Sequence, residues 1–364
     1  LLGTISGVTG LKLTYPQLAL PIGLSFYTFK NLSYILDIYM GKTEPCKGFF
    51  PYAVYSTMFP HMTAGPIVRY TDISESISRR SINTTRLGAG AELFIKGLSK
   101  KVLLADNLSA LYTTLQASGT TSFVGTWLAI GAYTLELYFD FSGYSDMAIG
   151  LGQMLGFNFN KNFDYPYIST SVSEFWRRWH ISLGSWFRDY IYIPLGGNRV
   201  STGRHIRNIL VVWALTGLWH GASWNFVFWG VYYGLLLLAE KFLLGRFLEK
   251  APVWLRNLYT MFAVIIGWVF FSQTTPAAIG KMLGAMFGLG ASCFADRASL
   301  YALKSGLILM IISVISCRPG LYQYFKRLAR RNTYLAAVIN AILFFLCIAY
   351  MIYSSYTPFM YQQF

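Results

Sequence analysis

Charge is what this chain has least of. Of its 364 residues, 12% are Asp, Glu, Lys or Arg, against about 25% in an ordinary soluble domain. Acid is the scarcer sign: 15 carboxylates stand against 30 basic side chains, for a formal net charge of +15. With 54% hydrophobic and 18% aromatic residues, so few charges cannot cover a water-exposed surface. That excludes a soluble globular domain, and chain length then gives no domain count. Cysteine is sparse too. Cys46, Cys293, Cys317 and Cys347 are scattered without a CxxC pair, so neither a disulfide framework nor a zinc site is expected. The four histidines, His61, His180, His205 and His220, lack HExxH or HxxxH spacing, and no metal is expected. No charged n-region followed by an apolar h-region opens the chain. There is no internal repeat and no linker of low complexity.

What is there is a series of apolar runs separated by short basic segments, among them Arg79–Arg86, Arg199–Arg207 and Lys326–Arg331. Basic connections suit the positive-inside rule and anionic headgroups. No platform of interleaved aromatic and basic residues stands outside the apolar runs, which argues against nucleic acid. The expected partner is the lipid bilayer. The chain reads as one all-α, polytopic membrane domain over residues 1–364, with roughly seven to nine embedded segments. Leu18–Met40 is a span candidate despite Lys30 and Asp37. Phe49–Ala64, short and carrying Pro51 and Pro60, suits a re-entrant segment, with His61 a turn histidine near the interface. Leu87–Leu115 predicts an amphipathic, partly interfacial helix. Ser122–Phe139 is a span leading into Glu136–Asp146, where Asp140 and Asp146 are expected to satisfy turn backbone around Ser142-Gly143. The alternative makes Glu136 and Asp140, four apart, part of a cation or proton path. Trp254–Phe271, Leu300–Ser316 and Tyr334–Tyr353 are further spans, and Ala277–Leu289 is expected at an interface.

One stretch organises the rest. Ile209–Ala239 runs for 31 residues, and His220 is its one side chain of Asp, Glu, Lys, Arg or His type. As a single helix it would be about 46 Å long, against a hydrocarbon core of about 30 Å. It must tilt, break or overrun. Gly217 and Gly221 flank the histidine, and basic residues stand at both ends: Arg199, Arg204 and Arg207 before, Lys241, Arg246, Lys250 and Arg256 after, the latter diluted by Glu240 and Glu249. A single span should not be basic on both sides, so either the stretch enters and returns or its second flank breaks that rule, and a broken element is expected. Broken backbone at membrane depth survives only where protein or a water-filled cavity covers it, which places His220 in an internal cavity. A histidine there is either a functional group or a neutral core residue bonded to a backbone carbonyl.

Ser171–Arg199 makes a second constellation, SVSEFWRRWHISLGSWFRDYIYIPLGGNR. Ser173 is a candidate helix cap. On a helix, Trp176 and His180 share a face, as do Trp179, Leu183 and Trp186. Arg177, Arg178 and Arg188 make it too charged for a simple span. It is either an interfacial helix with snorkelling basic residues or a cavity wall whose arginines bind an anion such as phosphate.

These residues resemble a known family. Phe175–Ser182, Trp186–Tyr190, Pro194–Arg199 and Leu218–Trp224 are together similar to the membrane-bound O-acyltransferase (MBOAT) family, in its bacterial branch that O-acetylates alginate and peptidoglycan. Phe59–Ile67 and Tyr138–Asp146 agree. The resemblance covers about residues 21–364. It implies a helical funnel with re-entrant and interfacial helices, in the bacterial inner membrane, and family members carry further N-terminal helices that this chain is expected to lack. It implies a catalytic role for His220 and an important one for His180. It further implies acetyl-CoA as the acyl donor substrate, with no bound cofactor, and an extracytoplasmic SGNH-type O-acetyltransferase as partner. Tyr361, in the aromatic end FMYQQF, resembles a terminal motif of that branch and is a candidate acyl relay, or else an interfacial anchor.

The residues add chemistry to that resemblance. Acyl transfer from a thioester needs a base at the attacking hydroxyl, and histidine titrates near working pH. Arg177, Arg178 and Arg188 are candidates for CoA phosphates or lipid headgroups, while Trp176 and Trp179 offer stacking faces. Asn225 and Ser223 follow the histidine as candidate oxyanion donors. Two other readings compete. One is D-alanyl transfer to teichoic acid within the same family. The other is an ion-coupled transporter resting on Glu136, Asp140, Asp146 and the broken helix.

Overall fold

The computed structural model describes residues 6, 9, 23–353 and 359. In chain order its helices are α1 (Leu24–Tyr39), α2 (Phe49–Thr57), α3 (Tyr70–Ser78), α4 (Thr84–Ser99), α5 (Asp106–Ala117) and α6 (Phe123–Met154). Then come α7 (Val172–Arg178), α8 (Ile181–Phe187), α9 (Thr202–His220), α10 (Trp224–Ala239), α11 (Gly245–Lys250) and α12 (Val253–Ser272). The last four are α13 (Pro276–Met286), α14 (Arg297–Ser316), α15 (Pro319–Arg331) and α16 (Thr333–Tyr353). No strand occurs among the described residues. Four helical stretches are long and apolar enough to cross a membrane: Trp224–Lys250, Val253–Ser272, Arg297–Ser316 and Thr333–Tyr353.

The axis of the molecule is α6. It starts on a Ser122 cap that accepts from Gly125 N–H at 3.2 Å and runs unbroken for 32 residues. It is buried on all sides, from Gly125 to Gly152, as expected of a helix apolar all round. The turn expected around Ser142-Gly143 is therefore absent. Its carboxylates serve another purpose. Asp140 takes Lys101 at 2.7 Å, and Asp146 takes Lys96 and Lys100 at 3.0 and 2.8 Å.

Those lysines belong to α4 and the π-helical turn Lys100–Ala105 that joins it to α5. Leu87–Leu115 thus packs along α6 instead of lying as an amphipathic helix on its own, because its cations find acids there. Glycine sets the spacing of this antiparallel pair. A Cβ on Gly90 would stand 2.6 Å from Gly150 O, and one on Gly97 2.5 Å from Gly143 O. Small residues at such crossings let backbones approach where no hydrophobic drive separates protein from lipid. His61 also differs from expectation. It is fully buried, and Nδ1 lies 3.0 Å from the buried amine of Lys30, so it is an interior residue and not an interfacial turn.

Ile209–Ala239 enters and returns, in keeping with its two basic flanks. Helices α9 and α10 form an antiparallel hairpin broken at Gly221-Ala222-Ser223. Gly221 has φ 157° and ψ 154°, a region essentially reserved for glycine. The arms touch through Gly217, whose Cβ would meet Phe226 O at 2.4 Å, and Gly230, whose Cβ would meet Trp213 O at 2.4 Å. At about 1.5 Å per residue, the 19 residues of α9 carry His220 about 28 Å from the helix start.

The contacts bring the basic segments to one face. The start of α4 meets the end of α6, where Arg86 donates to Asn158 Oδ1 at 2.5 Å. Helix α14 starts beside the start of α6, tied by Thr120 to Asp296, so α15 with Lys326, Arg327, Arg330 and Arg331 lies at the end of α6. Helix α12 runs antiparallel to α10, with Phe271 5.1 Å from Phe226 and Gly267 against Tyr233. Arg204, Arg207, Lys241, Arg246 and Arg256 therefore share that face.

Candidate active site

Each histidine is set by a break in a helix. His220 is the last residue of α9, at the hairpin tip, and is 6% exposed. Its ring is caged by aromatics: Trp219 at 4.7 Å, Trp229 at 5.0 Å, Phe271 at 5.1 Å and Phe226 at 6.0 Å between centroids. Such a cage excludes bulk water. Several buried polar atoms in and beside it have no protein hydrogen-bond partner: the indole N–H of Trp176, Trp219 and Trp229, the Tyr233 hydroxyl and Asn225 Oδ1. A buried unsatisfied group costs roughly 1–3 kcal/mol, so these atoms are hydrogen-bonding capacity held within an apolar wall.

His180 sits where one helix was expected. The pattern from Ser171 to Arg188 reads as continuous, but the structure divides it into α7 and α8, with His180 between them at φ 44°, ψ 54°. Left-handed backbone at a residue with a Cβ costs roughly 1–2 kcal/mol. Local bonds offset it: Ile181 N–H donates to Asn162 O at 2.9 Å, and His180 Nδ1 lies 3.2 Å from Asn162 Oδ1. The break moves Trp176 and His180 off a shared helical face. The helix cap is Ser171, not Ser173: its hydroxyl accepts from Glu174 N–H at 3.0 Å.

Ser173 is engaged elsewhere, by a residue that reads as no more than a flank of the long stretch. Glu240, buried at 5% exposure, follows α10 in a π-helical turn. It accepts from Val172 N–H at 2.5 Å, Ser173 N–H at 2.9 Å and the Ser173 hydroxyl at 2.8 Å. One carboxylate thus ties the end of the hairpin to the start of α7, where the helix dipole favours negative charge.

The two histidines come together through shared aromatics. Trp219 is 6.1 Å from His180 and 4.7 Å from His220, and Phe26 contacts both His180 and Trp219. A cavity of about 280 Å³ opens at His180, walled by Trp176, Trp179, Tyr192, Trp213 and Thr216 as well, with the exposed Arg177 and Arg188 among its lining. Thr216 is one turn before His220.

The three arginines separate. Arg177 is exposed and lines the cavity. Arg178 is an internal strap: it bonds Glu174 at 2.9 Å and Asp164 O at 3.1 Å. Backbone and side-chain bonds from Thr170, then that arginine, hold Glu174 below the usual carboxylate range against the opposing effect of burial. Arg188 grips Asp189 through Nε at 2.6 Å and Nη2 at 3.2 Å, and Arg69 reaches the same carboxylate at 2.7 Å. Burial alone would raise Asp189, and these two arginines hold it low. Trp179 is 2% exposed and packs on Phe163 and Phe175. Asn225 is buried in the first turn of α10, behind Ser223 at its N-cap position. Tyr361 lies outside the described residues. Phe359, two residues earlier, packs on Tyr144 at 5.0 Å between centroids.

Among the described residues no group of three His, Cys, Asp or Glu could hold a metal. Glu136, Asp140 and Asp106 surround Lys101 instead, which bonds Asp140 at 2.7 Å and Asp106 at 2.8 Å.

Comparison with known proteins agrees with this architecture. The profile of MBOAT, the membrane-bound O-acyltransferase family, matches residues 47–279. The chain is 42% identical over 316 residues to the probable alginate O-acetylase of Azotobacter vinelandii, covering 85% of this chain and 62% of that protein. To that of Pseudomonas aeruginosa it is 42% identical over 313 residues, 85% of this chain and 60% of that one. To the peptidoglycan O-acetyltransferase of Helicobacter pylori it is 33% identical over 304 residues, 75% of this chain and 58% of that one. The chain thus spans about 60% of the length of these relatives.

Proposed function

The chain belongs to the membrane-bound O-acyltransferase family, and from that premise we propose that it is an O-acetyltransferase serving a polysaccharide outside the membrane. The donor is acetyl-CoA, approaching from the basic face, which the positive-inside tendency assigns to the cytoplasm of a bacterial inner membrane. An extracytoplasmic transferase of SGNH type completes delivery to the polymer. The observation that carries this reading is the cavity leading from Arg177 and Tyr192 inward to His180 and Thr216, next to the cage of His220.

His220 takes the proton from the acceptor hydroxyl as its oxygen bonds to the thioester carbonyl carbon. The tetrahedral intermediate then collapses, the C–S bond breaks, and the proton passes to the leaving CoA thiolate. The aromatic cage keeps water from competing for the acyl group. Asn225, through its amide N–H, and Ser223 are the proposed donors to the developing oxyanion. Arg177 meets a CoA phosphate at the cavity edge, Arg188 holds the rim through Asp189, and Arg178 supports the wall. Tyr361 is the proposed relay onward.

Full-length protein in proteoliposomes, given radiolabelled acetyl-CoA, tests this. Transfer of label to an acceptor hydroxyl is expected; label released only by hydrolysis at the rate of empty vesicles contradicts it. Arg177→Ala should raise KM several-fold with kcat nearly kept, because a phosphate contact is present in ground and transition states alike. An unchanged KM removes Arg177 from donor binding.

A further inference from the structure

Asn162 is fully buried and sits in the connection between α6 and α7, outside every motif that the sequence singles out. Its amide orientation follows from its neighbours. The backbone N–H of Ser182, which can only donate, reaches Oδ1 at 3.1 Å. The Ser182 hydroxyl donates to the same oxygen at 2.8 Å, while accepting from Ile67 N–H at 3.0 Å. On its other side, Nδ2 donates to Ser145 Oγ at 3.2 Å. An amide flipped by 180° would set two donors against each other at Ser182. The atom facing His180 Nδ1 at 3.2 Å is therefore an oxygen, and an oxygen there requires Nδ1 to carry a proton. In a neutral ring the lone pair then belongs to Nε2.

We infer that Asn162 is a positioning residue that holds His180 in its Nδ1–H tautomer, so that Nε2 accepts a hydrogen bond from a substrate N–H or O–H in the cavity. The backbone agrees. His180 holds a left-handed conformation beside Ile181 N–H, which donates to the main-chain oxygen of Asn162 at 2.9 Å. Asn162 thus grips both the ring and the turn. Phe141 meets the ring edge-on at 4.7 Å and Phe26 stacks at 6.3 Å, limiting its rotation. The charged or titratable groups around the imidazole are Arg177, Arg188 and Tyr192 in the same cavity wall and His220 on the other side of Trp219. The role of Nε2 rests on the proposed acyl transfer; the tautomer does not.

Two measurements on the full chain separate them. In protein labelled with 15N-histidine, with His180→Gln assigning the resonances, wild type should show a protonated Nδ1 and a bare Nε2 at neutral pH. Asn162→Ala should show a mixture or the opposite tautomer. A wild-type His180 protonated on Nε2 overturns the inference, whatever the activity. In the acetyl-transfer assay, Asn162→Ala should lower kcat by roughly 10–100-fold, the scale of loss seen when the partner orienting a metal-bound histidine is removed. Asn162→Asp keeps the acceptor oxygen and adds a charge. It should retain transfer at alkaline pH, with the acidic limb of its pH–rate profile moved up by roughly one unit or more. A purely structural residue would leave that limb in place, so a profile superimposable on wild type overturns the positioning role even if Asn162→Ala fails to fold. An inactive wild type counts against the proposed function and leaves the tautomer standing.

Discussion

At the scale of single residues, the chemistry depends on side chains fixed by unlike means. His220 is held by aromatic rings, His180 by an amide, and the start of α7 by one buried carboxylate. Removing that carboxylate gives a prediction of its own. Glu240→Ala leaves the N–H groups of Val172 and Ser173 and a serine hydroxyl without their acceptor, at roughly 1–3 kcal/mol for each unsatisfied buried group. The melting temperature in detergent should fall by several degrees, and Glu240→Gln should lie between. An unchanged melting temperature for Glu240→Ala would show that the tie contributes nothing. Glu240 was not legible in the sequence because its role is contact with a segment 67 residues away; locally it only dilutes a basic flank. Asn162 was invisible for the same reason. The motif histidines and arginines were legible, but not that Arg178 turns inward to Glu174 while Arg177 stays free to face the cavity.

At the scale of elements, glycine decides which helices touch. Two glycines of α4 make a controlled pair. Gly90 faces Gly150 O, whereas Gly88 is exposed with nothing within 4 Å of a built Cβ. Gly90→Val should overpack the crossing and destabilise by roughly 1–3 kcal/mol, read as a lower melting temperature or loss of folded protein. Gly88→Ala should be neutral or stabilising, by up to about 1 kcal/mol. Equal effects would remove close packing as the cause. The hairpin of α9 and α10 was legible because three local signals agreed: excess length, glycines beside the histidine and basic charge at both ends. The break at His180 was not, since Phe175–Phe187 keeps a helical pattern and the backbone turns only under the bonds from Asn162. The expected turn at Ser142-Gly143 failed in the opposite direction. There glycine marks a helix crossing, and the acids answer lysines on α4 and the π-helical turn after it.

At the scale of the whole molecule, the three basic segments Arg79–Arg86, Arg199–Arg207 and Lys326–Arg331 are gathered to one face, and Arg177 and Arg188 line the cavity that reaches His180. Single cysteines at Arg204 and Arg330 in a cysteine-free background should both be labelled by an impermeant thiol reagent from the cytoplasmic side, and restored Cys293 from the other. Labelling of the two arginine positions from opposite sides would contradict the arrangement. The fold class was readable from composition, since a chain so poor in charge has only the bilayer as solvent. The distance between His180 and His220 was not, because 40 residues of sequence separate them and only the packed aromatics close the gap. The central claim is that acyl transfer passes through His220, and its most direct test is radiolabelled acetyl transfer by reconstituted wild type against His220→Ala. With elution profile and melting temperature kept, transfer should fall by at least roughly 100-fold, the lower end of what a general base contributes; a folded His220→Ala protein that transfers at near the wild-type rate would contradict it.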